Sequence, residues 1–226
     1  MSLFYTATAK CFKCSTETEV QLAASVNAGR RPDLREAILD GSFQATNCPI
    51  CGTRMRLPAH LTYTDQRRGQ WILVDSPDAL ANVAAGEAEA HRVFGELYGA
   101  GAPDAAQEMG RELHPRLVFG WPALREKLLC DEYGLDDITL ELLKIAILRN
   151  VANSPLSDTT ELRLVGREED TLKFAWIDSD SEAEIAALEV PRSAYDDIAA
   201  DSAAWAALRG QLEGQFFVDF KRLLVS

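Results

Sequence analysis

Four of the chain's five cysteines fall into two pairs of one spacing, Cys11-Phe-Lys-Cys14 and Cys48-Pro-Ile-Cys51, with 33 residues between the pairs. A Cys-x-x-Cys pair presents two sulfurs from one tight turn, and two such pairs supply the four thiolates of a tetrahedral metal site. Zinc (Zn2+) is the ion this donor set favours, and a single iron is the other cation that tetrahedral sulfur accepts. In the second pair Pro49 fixes φ at the first bend and Gly52 is free to take positive φ, so backbone N–H groups can turn back toward the sulfurs. Four thiolates around a divalent cation leave a charge of about −2. Lys13, Arg54 and Arg56 stand close by in sequence as groups that could offset it.

Two other chemistries compete for these cysteines. A disulfide framework needs an oxidising compartment, and the opening Met1-Ser2-Leu3-Phe4-Tyr5 lacks the basic and long apolar runs of a signal peptide, while the cysteine total is odd. The expectation is therefore a cytoplasmic protein. A redox dithiol uses one Cys-x-x-Cys beside a βαβ unit, which two pairs in ordinary polar surroundings fit less well.

The two pairs, the Val-Asn-Ala at 26 to 28 and the run Pro32-Asp-Leu-Arg-Glu-Ala-Ile-Leu-Asp-Gly41 together resemble the CpXC domain, a bacterial family named for two Cys-Pro-x-Cys motifs. The resemblance covers roughly the first third to half of the chain, and it includes the long helix-filled spacing as well as the cysteines. It departs at the first pair, where Phe12 replaces proline, so a looser first turn is expected. What it implies is a zinc-binding module with no catalytic residue to carry over.

The elements that must position the sulfurs follow from periodicity. Phe4 to Ala9 is β-prone, and apolar residues at 20, 22, 24 and 26 alternate as in a strand with one buried face. Pro32 to Leu39 reads as a helix stopped by Gly41, inserted into a ribbon-like plan and lengthening the gap between knuckles beyond the usual 15 to 20 or so. Met55 to Tyr63 alternates with a bulge or edge at Pro58, and Trp71 to Val74 returns through a turn at 64 to 70. Helices are predicted over 88–98, 104–113, 122–133 and 136–149. The last is apolar almost all round, as a central core helix or a dimer seam would be. Strands are predicted at 161–165, 171–177 and 185–190, then helix from 194 to 212 after a Ser193/Asp196 capping box, while 216–225 fits helix or strand equally. The fold class is α+β: a zinc-ribbon-like antiparallel sheet with an inserted helix (1–77), a helical region (78–150) and a small C-terminal α+β part (151–226).

No apolar run approaches the roughly 18 residues of a membrane span. The net charge of −12 disfavours a general nucleic-acid binder, although residues 1 to 70 carry nine basic and six acidic groups and the remainder 14 and 29. Arg30, Arg31, Arg67 and Arg68 with Phe12, Tyr63 and Trp71 would be the nucleic-acid face if there were one. His60 is a spare ligand for a shell that is already complete. Glu87 and His91 share a helical face without a third ligand, and His114 precedes a proline in an expected loop. Cys130 reads as a small buried hydrophobe among acids that oppose a reactive thiolate. Asp178, Asp180, Glu182 and Glu189 imitate a calcium loop, but Ala183 stands where glycine is needed. The resulting expectation is a non-enzymatic protein-interaction module or adaptor with protein partners, a homodimer included. The alternative is a regulator that responds to thiol oxidation or loss of metal.

Overall fold

The computed structural model describes residues 1–151, 155, 157 and 159–224. Of the break expected at 150–155, only 150, 151 and 155 are among these, and Val225 lies outside them. The chain forms two compact units, Met1–Pro115 and Arg116–Ser226. The class is α+β, as the sequence implies.

In the first unit β1 (Leu3–Lys10) and β2 (Glu17–Asn27) form an antiparallel hairpin whose loop is the first cysteine knuckle. Helix α1 (Pro32–Leu39) follows, with Pro32 in its first turn and Leu34 and Ile38 buried. The short strands β3 (Ala45–Asn47) and β4 (Arg54–Arg56) flank the second knuckle as a hairpin. Strand β5 (Leu61–Asp65) then pairs with β2 in parallel, Ser25 to Asn27 against Thr62 to Thr64. The all-antiparallel arrangement is thus corrected to a mixed sheet. Parallel neighbours need a crossover of a dozen or more residues, and α1 with the β3–β4 knuckle is that crossover. The long spacing between the cysteine pairs therefore has a topological reason.

The predicted alternation of 55 to 63 survives in burial, with Met55, Leu57, Ala59, Leu61 and Tyr63 all buried, although Pro58 splits the run into β4 and β5. A 3₁₀ turn over Gln66–Arg68, closed by Gly69 at φ 64°, leads to β6 (Gln70–Asp75). Helices α2 (Val83–Tyr98) and α3 (Asp104–Arg111) follow, and Phe94 on α2 meets Trp71 edge-on at 5.1 Å. The order of the five-stranded sheet is β1-β2-β5-β6-β7, where β7 (His114–Phe119) was not expected from sequence and the boundary between the units falls within it. His114, expected in a loop, is its first residue and donates its N–H to Gly69 O at 2.7 Å.

The second unit is built around α5 (Asp137–Asn150), capped by Asp136, whose carboxylate accepts from Thr139 N–H at 2.9 Å. α5 packs against α4 (Gly120–Glu132), α6 (Arg192–Ala200), α7 (Ser202–Leu212) and α8 (Phe220–Leu224), and α4 lies against β8. It is the central core helix. The antiparallel sheet β10-β9-β8 consists of Thr160–Glu168 (β8), Thr171–Asp178 (β9) and Glu184–Pro191 (β10). Leu162 and Leu164 of β8 join Leu172, Phe174 and Trp176 of β9 and Leu140, Leu142 and Leu143 of α5 in one apolar cluster. Of the ambiguous 216–225 run, 216–219 form no helix or strand and lead into α8.

No described helix is long and apolar enough to cross a membrane.

Candidate metal centre

The two knuckles are copies of each other in backbone geometry. Cys11 N–H donates to Thr16 O at 2.9 Å and Ser15 N–H to Cys11 O at 2.8 Å. In the second, Cys48 N–H donates to Thr53 O and Gly52 N–H to Cys48 O, both at 2.9 Å. The residue after each pair takes the left-handed conformation, Ser15 at φ 61° and Gly52 at φ 69°. Glycine does this without a Cβ penalty, whereas Ser15 bears a small one. The first turn, expected to be looser without proline, closes with the same hydrogen bonds as the second.

These turns bring all four sulfurs within 4.8 Å of one another. The near contacts run between the knuckles: Cys11 Sγ lies 3.6 Å from Cys51 Sγ, and Cys14 Sγ lies 3.5 Å from Cys48 Sγ. A disulfide would need about 2.05 Å. Metal–sulfur bonds of about 2.3 Å in tetrahedral array separate sulfurs by about 3.8 Å, so the donors are spaced for one ion. Cys11 and Cys48 are buried with Met55, Cys51 is half-buried and Cys14 exposed.

Two hydroxyls that sequence reading missed support the sulfurs. Thr16 Oγ1 lies 3.2 Å from Cys14 Sγ and Thr53 Oγ1 lies 3.3 Å from Cys51 Sγ, each placed to donate to a thiolate. The Thr16 hydroxyl lowers the Cys14 pKa, and that of Thr53 brings Cys51 to about 6. The N–H groups of Cys51 and Ile50 act the same way on Cys48, but burial and the sulfurs of Cys14 and Cys51 outweigh them, leaving it at about 11. The detectable sign was a threonine two residues after each pair. The expected basic groups act elsewhere: Arg54 donates to Gly41 O at 2.9 Å, Arg56 to the carbonyls of Gly41 and Phe43 beyond the end of α1, and Lys13 is exposed.

None of the other sequence candidates joins the group of four sulfurs. His60 Nδ1 pairs with Asp75 at 3.0 Å, and His91 is exposed on α2 with Glu87 one turn before it. Cys130 is 2% exposed, and burial drives its thiol well above the ordinary range. In the calcium-like stretch Asp178 accepts from Ser181 N–H and hydroxyl, while Glu182 pairs with Arg125. Tyr63 and Trp71 are fully buried and offer no face for stacking a base; only Phe12 of that set of aromatics is exposed. Among the described residues, the four cysteines are the one group of three or more potential ligands that could share a metal ion.

No curated protein and no solved structure matches the chain. The family model described as "CpXC protein" matches residues 9–144, more than half of the chain and further than the first half that the cysteine motifs suggested, reaching into α5. With its two knuckles closed on one four-sulfur centre, the chain belongs to the CpXC family.

Proposed function

We propose that Cys11, Cys14, Cys48 and Cys51 bind one zinc ion as a structural centre, and that the protein is a non-enzymatic interaction module of a reducing compartment such as the cytoplasm. The observation that carries this reading is the spacing of the sulfurs, 3.5 and 3.6 Å across the knuckles, near the edge of a zinc-centred tetrahedron. A shell of four thiolates leaves the metal no open position for substrate, which favours a structural role over a catalytic one. The ion would tie the β1–β2 turn, which precedes β2, to the β3–β4 turn within the crossover. Binding free energy there is largely folding free energy.

Elemental analysis and thermal melts test it. The expected result is one zinc per chain, a melting temperature that falls on chelation, and loss of both metal and chelator sensitivity in Cys48→Ser. Cys130→Ala should keep its metal. Iron in place of zinc would revise the ion, and a metal-free chain indifferent to chelator would refute the site. A second reading, a redox- or metal-responsive regulator, draws on the exposure of Cys14 and the partial exposure of Cys51. Zinc release with disulfide formation under mild peroxide would favour it, and retention of zinc would favour the structural role.

A further inference from the structure

Strand β1 is an edge strand with few of the devices that keep edges apart, a register shift in its pairing at Leu3/Phe4 being its one irregularity. Among the described residues no strand pairs with its outer side. Leu3, Phe4 and Tyr5 are 56%, 42% and 45% exposed. The strand holds no proline, and Lys10 at its far end is its one charge. Natural edges are blunted by lysines, prolines or inward charges, and a long apolar edge otherwise recruits another strand. The hairpin also needs reinforcement, because β5 engages β2 only over Ser25 to Asn27, so the outer part of the β1–β2 pair is a two-stranded ribbon. Such ribbons are marginal, and three or more strands are stable.

The partner most compatible with this edge is a second copy of the chain. At a net charge of −12, two copies repel over most of their surfaces, and the first unit alone carries fourteen acidic against eleven basic residues. Residues 1 to 16 contain no acid, so two β1 strands can meet without setting carboxylate against carboxylate. A two-fold axis normal to the sheet makes two β1 strands antiparallel and keeps each face on its own side, so residues of equal parity oppose each other. With Thr6 opposite the partner's Thr6, Tyr5 meets the partner's Ala7, Phe4 meets the partner's Thr8 and Leu3 meets the partner's Ala9. Large side chains then face small ones. The two Lys10 side chains lie at opposite ends, and the Gln21 Nε2 that donates to Thr6 Oγ1 at 2.6 Å flanks the central threonine pair on both sides.

We propose that β1 pairs with β1 of a second copy, centred on Thr6, to form a homodimer through a continuous sheet. A strand pair of this length falls at the small end of specific interfaces, below about 1,200 Å², so the dimer should dissociate on dilution through the micromolar range. Sedimentation equilibrium on the full chain tests it. Thr6→Lys and Thr6→Glu each place like charges face to face across the axis, and both should be monomeric with unchanged far-ultraviolet circular dichroism. An equimolar mixture of the two should recover the dimer. Tyr5→Lys, on a side chain already half-exposed, should weaken the wild-type dimer independently. A wild-type chain that stays monomeric, a dimer indifferent to these charges, or well-folded Lys and Glu variants that fail to pair would each overturn the proposal.

Discussion

Among the described residues, ten charged side chains are linked in one network in the second unit, five acids and five bases. Asp137 pairs with Arg116 at 2.7 Å and Lys127 at 2.9 Å, and Glu126 with Lys144 at 2.6 Å and Arg163 at 2.9 Å. Arg163 also reaches Glu161 and Asp219 at 2.8 Å each, Lys221 reaches Glu161 at 3.1 Å, and Glu141 lies 3.0 Å from Lys144 and 3.6 Å from Lys127. Glu141 differs from Asp137, Asp219 and Glu126. Burial raises its pKa, Lys144 offsets this only in part, and Asp219 and Glu126 push the same way as burial, to about 7. Asp137 and Asp219 are held well below the usual carboxylate range despite burial, the first by Lys127 and Arg116 and the second by Arg163 and Lys144, and Glu126 is lowered too, by Lys144 and Arg163. Their stability is present above the unfolded carboxylate range and lost only on strong acidification. For Glu141 the sign is opposite: the folded state binds the proton more tightly, so stability is full below pH 4.5 and declines as pH rises through about 7. At about 1.4 kcal/mol per pH unit, a rise from 4.5 to about 7 corresponds to about 3 kcal/mol, most of it lost between roughly pH 5 and 8. Glu141→Gln keeps the shape and an acceptor for Phe220 N–H, now 2.9 Å from Oε2. Urea denaturation across this range should show wild-type stability falling by about 2 to 3 kcal/mol relative to the variant. Parallel pH profiles would refute the assignment.

Two further outcomes are expected. Lys144→Met removes a fully buried ammonium from Glu126 and Glu141 and should cost about 3 to 5 kcal/mol in denaturation midpoints near neutral pH, less in acid where Glu141 is protonated; an equal cost at both pH values would mean that packing, not charge, decides it. Thr53→Val removes the hydroxyl beside Cys51 while keeping the side-chain volume, and zinc affinity by chelator competition should fall roughly 10- to 100-fold, with no change meaning that the hydroxyl does not support the thiolate.

The network and the sulfur centre differ in how far sequence reveals them, and the reason is the range of the interactions. Each knuckle is written within six residues, so sulfur spacing, the left-handed position and even the supporting threonine stand side by side in the chain. The parallel pairing of β2 and β5 was not legible, because nothing local in the α1 crossover distinguishes it from an insertion in an antiparallel ribbon. The strand β7 was missed because His114-Pro115 reads as a break, although a proline near a strand's start costs the ladder little. The network is harder still. Its members run from Arg116 to Lys221, and locally Glu161-Leu-Arg-Leu reads as a strand with its charged face in water. That face is buried instead, as α4 covers β8 and Glu126 accepts the edge N–H of Leu164 at 2.7 Å. One local trace existed. α5 is apolar almost all round yet carries Glu141 and Lys144 three positions apart, and a helix with no water-facing side must bury its charges. Buried charges persist only when paired. The pair on α5 is therefore the point from which sequence reasoning could have looked for partners elsewhere in the chain, and Glu126, three residues after Ala123 in the preceding helix, is the carboxylate it finds.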